Sequence, residues 1–325
     1  MSIVPAASRV EIVARCYADW PDFDDALSML TPAGACRWGN VLFSRDDSRK
    51  PDWYIFFNHP GPSSVELFAP ANRVIFASAE PPLIAFRRFN LGQGAGTFVM
   101  TSDESLALRR RQPRRFVSVP CMTRTWSVRR NIDWLRGSSV PDKPKRLSWV
   151  TSDDAFLKGH RERLGFLAKL RERVEFDLFG HGFNPIADKW DGIAPYRYSV
   201  AFENTTAPLY FTEKIMDCFV AGTMPIYVGS PSIGEFFPPE AMVRIDPDDA
   251  SVFDLISSIA ASDLYLRRRE AILEAKRLTL ERYNLFARLA GFIEGLDEPA
   301  EPPQHMRVRP IDWGFPPPDH SGLSR

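Results

Sequence analysis

The stretch YRYSVAFENTTAPLYFTEKIMDCFVAGTMPIYVGSPSI, residues 196–233, decides the fold. It opens on an apolar run in which Tyr198, Val200 and Phe202 fall on one side of an extended chain. Glu203-Asn204 ends that run, and a loop follows with Thr205, Thr206, Pro208 and Tyr210. Thr212 has the chemistry of an N-cap for a helix that runs to Ala221 and stops at Gly222. MPIYVG, 224–229, is the next strand. Strand, loop, helix and strand at this pitch predict a βαβ unit. Parallel sheets of that kind bind ligands in the crevice at their carboxyl ends, where helix N-termini also attract anions. Lys214 in the first helical turn opposes the helix dipole, a cost that a facing phosphate would offset. Glu213 beside it can accept hydrogen bonds from ribose hydroxyls. For an isolated Thr-Glu-Lys, two solvated first-turn charges are the commoner reading.

Working outward, the same alternation recurs on both sides. PDWYIFFN (51–58), NRVIFASAEPP (72–82) and TFVMTSDE (97–104) read as buried strands of a first α/β segment. RLSWVTS (146–152), VEFDLFG (174–180) and MVRIDP (242–247) read as strands of a second. Residues 154–173 carry Leu157, Leu164, Leu167 and Leu170 at helical spacing. Residues 122–146 lose periodicity and read as a connection. The boundaries expected are an N-terminal domain 1–145, a C-terminal domain 146–296 and a Pro-rich tail 297–325 that holds seven of the 28 prolines and reads as extended or disordered. Residues 263–293 read as one long basic amphipathic helix. It either packs back on the N-terminal domain or leaves a peripheral membrane contact open.

Composition narrows the function. Lys+Arg and Asp+Glu are both 41, so no electrostatic footprint for nucleic acid exists. The four cysteines lack metal or C-x-x-C spacing, and 1–20 lacks the apolar core of a signal peptide. The expected location is therefore cytoplasmic. Gly92-Gln93-Gly94-Ala95-Gly96-Thr97 imitates a dinucleotide fingerprint but precedes a strand-like segment, not a helix. Asp246-Pro247-Asp248-Asp249 reads as a turn, not a metal motif. His59 and His181 have no partner at metal spacing.

The string F-E-N-T, then Tyr210, Thr212-Glu213-Lys214, a helix and Pro225-Ile226-x-x-Gly229 resembles the signature of the α-1,3/4-fucosyltransferases, glycosyltransferase family 10. Upstream, Lys145-Arg146 before a strand, Arg163 ahead of Phe166 and Leu170, and VEFDLFG keep the family's order. Glu80-Pro81 after VIFASA looks like its catalytic carboxylate. The resemblance implies a GT-B architecture: two Rossmann-like domains with parallel sheets facing a cleft. It implies inverting transfer of L-fucose from GDP-fucose to a hydroxyl of an N-acetylglucosamine-containing or related glycan. Carried over, Asn204, Tyr210, Glu213 and Lys214 look like donor contacts, Lys214 and Arg163 the cations on the diphosphate, and Glu80 the general base. No cofactor is required, and there is room for a divalent ion (Mn or Mg) on the diphosphate. Arg161 and Arg171 share the helix with Arg163, and only its register with Phe166 and Leu170 favours Arg163. The apolar loop Thr206-Ala207-Pro208-Leu209 departs from the family and bears on the identity of the donor sugar. Two alternatives stand beside fucosyl transfer: another nucleotide sugar on the same fold, or a binding module without turnover.

Overall fold

The computed structural model describes residues 10–18, 20–58, 60–82, 96–104 and 116–310. His59, residues 92–95 of the glycine string, residues 1–9 and the last part of the tail, 311–325, lie outside the described residues. The chain forms two compact units. One takes Asp24–Leu42 and Thr123–Leu296; the other takes Ile12–Phe23, Phe43–Met122 and the chain from Asp297 onward.

In chain order the first strands are β1 (Ile12–Ala18), a short hairpin of β2 (Arg37–Trp38) and β3 (Val41–Ser44), β4 (Trp53–Phe57), β5 (Val65–Ala69), β6 (Val74–Ala77), β7 (Phe98–Thr101) and β8 (Phe116–Ser118). Strands β1, β4, β6, β7 and β8 pair in that order, all parallel. Every residue of β6 and β7 is buried, as expected where both faces of a parallel sheet are covered. β1 is a strand that periodicity does not announce, because Arg15 interrupts its apolar run. Arg15 is nonetheless only 6% exposed, its guanidinium paired with Asp47 and donating to the Arg49 carbonyl at 2.8 Å.

The C-terminal unit holds β9 (Lys145–Val150), β10 (Asp177–Phe179), β11 (Tyr196–Phe202), β12 (Met224–Val228) and β13 (Val243–Arg244). They pair in the order β10-β9-β11-β12-β13, all parallel. The core sits where Trp149 stacks on Phe202, with Phe166 of the helix Lys158–Arg171 edge-on to Trp149. The α/β reading with parallel sheets therefore holds.

Three segments carry more structure than their sequence reading. Residues 123–144 are not a bare connection but part of the C-terminal unit. Trp126, Val128, Ile132 and Leu135 have no solvent exposure, and the helix Ile132–Gly137 is capped by Asn131, whose side chain accepts from the Trp134 amide. Lys143 closes the segment by donating to the carbonyls of Ala194 (2.7 Å) and Ala221 (3.0 Å) and to Thr223 Oγ1 (2.9 Å). One ammonium thereby satisfies the C-terminal ends of two helices. Irregular spacing of the apolar residues hid this packing from a periodicity argument.

The stretch 263–293 is three helices, Leu264–Arg267, Arg269–Glu281 and Leu285–Gly295. Arg268 leaves helical geometry at φ −110, ψ 16. At the second break Asn284 (φ −58, ψ 132) accepts from the amides of Phe286 and Ala287, while its Nδ2 donates to the Leu30 carbonyl at 2.9 Å. These helices belong to the C-terminal unit, and their apolar faces (Ile272, Leu280, Leu285, Phe286, Leu289) are buried.

Of the two readings of the tail, extended or disordered, residues 304–308 take the extended one. β14 (Gln304–Val308) pairs antiparallel with β5, and Met306 and Val308 enter the same core as Leu67, Phe56 and Phe76. Its alternation, two inward residues among exposed ones, is the period of a half-buried strand. Prolines on both sides mask it. Met306→Ala is expected to cost about 2 to 3 kcal/mol, read as a lower urea midpoint at unchanged slope.

Candidate functional site

The carboxyl end of β11 sets the site. Glu203, the first residue beyond the strand, is 2% exposed. Its Oε1 accepts the Thr212 amide and its Oε2 the Thr212 hydroxyl, both at 2.8 Å. Thr212 in turn accepts from the Lys214 amide (3.4 Å) and from Lys214 Nζ (3.1 Å), so it caps the helix Glu213–Val220 while tying it to the strand end. Gly229 on the neighbouring strand end leaves the room: a Cβ there would lie 2.7 Å from Glu203 Cγ.

Five charged groups alternate in sign from this point. Lys214 Nζ lies 3.5 Å from Glu203 Oε2 and 3.4 Å from Glu213 Oε1. Lys189, on the helix Lys189–Ile193, lies 4.0 Å from Glu213 Oε1 and 3.2 Å from Asp217 Oδ2. Asp217 Oδ1 also accepts the amides of Ser127 (2.6 Å) and Val128 (3.3 Å). Burial acts first on each group. It raises Glu203 and Asp217, where the nearby ammonium groups only partly oppose it. For Glu213, Lys214 and Lys189 together outweigh burial and hold the carboxyl at about 2. For Lys214, Glu213 and Glu203 outweigh burial and raise the ammonium above its ordinary value.

Arg163 belongs to the buried face of its helix with Phe166, Leu167 and Leu170, whereas Arg161 and Arg171 are exposed. Its Nη2 donates to the carbonyls of Ser152 (3.1 Å) and Asp154 (3.2 Å), and its Nε is buried without a partner. Its charge acts on Lys214, and both cations act with burial to lower His160, so the three share one locality. Asn204 is pressed against the start of the same helix. A Cβ on Gly159 would lie 1.9 Å from the Asn204 carbonyl oxygen. Asn204 Oδ1, His160 Nδ1 and Thr151 Oγ1 are buried without partners, alongside Arg163 Nε. Of these, His160 and Arg163 lie close enough for their charges to interact, and open buried polar atoms of that kind suit a polar ligand. Tyr210 is buried in the loop, its amide donating to the Ala207 carbonyl at 3.1 Å.

The structure therefore brings Asn204, Glu213, Lys214 and Arg163 to the carboxyl edge of one sheet. Glu80 belongs to the other unit, half-buried where the chain leaves β6. There the Ala79 amide donates to Asn58 Oδ1 at 2.8 Å. Glu203, Lys189, Asp217 and His160 also stand in or beside the row of charges, and local sequence pattern does not mark them as site residues. Only Glu203 had a signal, its place in the F-E-N string. Among the described residues no three of His, Cys, Asp and Glu gather as metal ligands. Asp246–Asp249 is a turn in which Asp246 accepts the Asp248 amide at 3.0 Å. His181 sits exposed, 3.0 Å from Asp153.

Residues 140–267 match the family model for the C-terminal part of glycosyltransferase family 10 (fucosyltransferase). This segment is a family 10 glycosyltransferase domain. An alpha-(1,3)-fucosyltransferase of Helicobacter pylori is 39% identical over 64 residues, covering 20% of this chain and 13% of that one. A GDP-fucose protein O-fucosyltransferase 3 of Bos taurus is 30% identical over 129 residues, 35% of this chain and 27% of that one. The matches thus span under a third of these relatives' lengths. A crystal structure of an alpha1,3-fucosyltransferase with GDP superposes at a TM-score of 0.52 and 18% identity, covering 91% of this chain and 94% of that one. It shows a shared GT-B fold.

The family 10 domain should titrate through Glu213. A carboxyl held at about 2 contributes stability that is present above its unfolded value and lost as pH falls toward 2. The stability gap between wild type and Glu213→Gln should therefore shrink between about pH 5 and 2, as followed by urea melts. Glu203 and Asp217, raised by burial, act with the opposite sign, so the difference between variants is the quantity to follow.

Proposed function

We propose that the chain is an inverting glycosyltransferase that moves L-fucose from GDP-fucose to a hydroxyl of an N-acetylglucosamine-containing or related glycan. One observation carries this: in a family 10 domain, Lys214 and the buried Arg163 converge at the carboxyl edge of a parallel sheet, beside an ionised Glu213. Two fixed cations suit the charge that develops on a departing nucleoside diphosphate. Glu213 accepts from the ribose hydroxyls, and Asn204 and Tyr210 complete the donor contacts.

Chemistry follows from the substrate. The acceptor hydroxyl is a weak nucleophile, so Glu80 takes its proton. The acceptor oxygen bonds to the anomeric carbon as the bond to the β-phosphate oxygen breaks, and the electron pair leaves with GDP under Lys214 and Arg163. A single displacement needs no covalent enzyme intermediate and inverts the anomeric centre. A divalent ion on the diphosphate is compatible with this scheme, and no step depends on one. The four cysteines, Cys16, Cys36, Cys121 and Cys218, are scattered along the chain without the spacing of a disulfide framework, which supports a reducing, cytoplasmic location.

The loop 205–209 favours one second reading, another nucleotide sugar on the same fold. Pro208 and Leu209 make it apolar, and its Pro208 carbonyl is held by the Ser230 hydroxyl.

A thermal-shift screen of GDP against UDP decides between them: stabilisation by GDP alone supports the fucose reading, and stabilisation by UDP alone overturns it. Glu80→Gln should lower kcat by about 10²- to 10⁴-fold in a GDP-release assay while the Kd for GDP stays unchanged. Unchanged turnover would remove Glu80 as the base.

A further inference from the structure

We propose that Lys189 is a positioning residue for donor binding, one that holds Glu213 so that Lys214 remains available to the diphosphate. The inference rests on the nucleotide-sugar reading above.

Its ground is the alternating row of charges. Lys214 is shared between two carboxylates, Glu203 at 3.5 Å and Glu213 at 3.4 Å. With no further cation, an arriving diphosphate would compete with both for one ammonium. Lys189 changes that balance. It comes from a different helix, and its Nζ lies between Glu213 (4.0 Å) and Asp217 (3.2 Å). Asp217 is fixed by the Ser127 and Val128 amides, so Lys189 is anchored at one end and bears on Glu213 at the other. The anchor is buried, with the Asp217 side chain 1% exposed, and the Lys189 side chain is 35% exposed. Lys189 thus compensates Glu213 when Lys214 turns to phosphate, and it keeps the Glu213 carboxylate ionised and oriented as a hydroxyl acceptor.

The positions of the two helices support this assignment. The helices 189–193 and 213–220 are joined at their opposite ends by Lys143, which donates to Ala194 and Ala221. The distance from Lys189 to Glu213 is therefore set by two clamps, not by a loop.

The test compares Lys189→Met with the double variant Lys189→Met/Asp217→Asn, reading the Kd for GDP by calorimetry and Tm by scanning fluorimetry. Lys189→Met leaves Asp217 buried and uncompensated, so its Tm falls; the double variant removes that charge and recovers Tm. GDP affinity should fall about tenfold in both. Recovery of affinity together with Tm would make Lys189 purely structural and overturn the proposal, as would unchanged affinity in either variant. In a Glu213→Gln background, Lys189→Met should change the Kd by less than about twofold, since its route of action is gone. Additive losses there would make Lys189 a direct ligand and also overturn the proposal. If wild type binds neither GDP nor UDP, the nucleotide-sugar reading falls and takes this inference with it. If wild type binds GDP and the variants bind it equally well, only the Lys189 inference falls.

Discussion

Glu203 is an almost fully buried carboxylate at the end of a central parallel strand, and three donors converge on it: the Thr212 amide, the Thr212 hydroxyl and the Lys214 ammonium. A charge in such a place costs several kcal/mol of lost hydration unless those partners hold their geometry. The constraint therefore runs outward. Thr212 must sit where it caps the next helix, Lys214 must point back toward the strand end, and Gly229 must lack a side chain for the carboxylate to fit. The cation expected to face a diphosphate is thus fixed before any ligand arrives, and preorganisation of that kind is what electrostatic catalysis requires.

The rest of the C-terminal unit keeps that row of charges in register. Asp217 accepts the amides of Ser127 and Val128, so a segment far away in sequence packs against the helix Glu213–Val220. Lys143 joins the carboxyl ends of the helices that carry Lys189 and Glu213, and burial pushes it down to about 7. Its three hydrogen bonds to oxygen atoms favour the charged form against that push. Gly159 lets the start of another helix approach the Asn204 backbone, which places His160 and Arg163 beside Lys214.

Much of this was legible in the residues. The strand-loop-helix-strand order of 196–233 follows from apolar periodicity, the Thr212 cap and the Gly222 stop, and the structure reproduces it to the residue at the start of the helix. Arg163 could be preferred over Arg161 and Arg171 because it shares a helical face with Phe166 and Leu170. Less was legible where polar residues do structural work. Arg15 obscured β1, the prolines around 304–308 obscured β14, and the Asn284 cap divided a stretch that reads as one helix.

The sequence by itself determined a parallel α/β architecture, the family 10 string and the strand-loop-helix segment that carries the residues proposed for the donor, because periodicity and capping act over a few residues. Only the tertiary structure decided what surrounds them. That Glu213 stands between two ammonium groups, that Asp217 anchors Lys189, and that residues 123–144 belong to the C-terminal unit depend on contacts between segments far apart in the chain. Electrostatic energy follows distance in space, and spacing along the sequence carries no record of it.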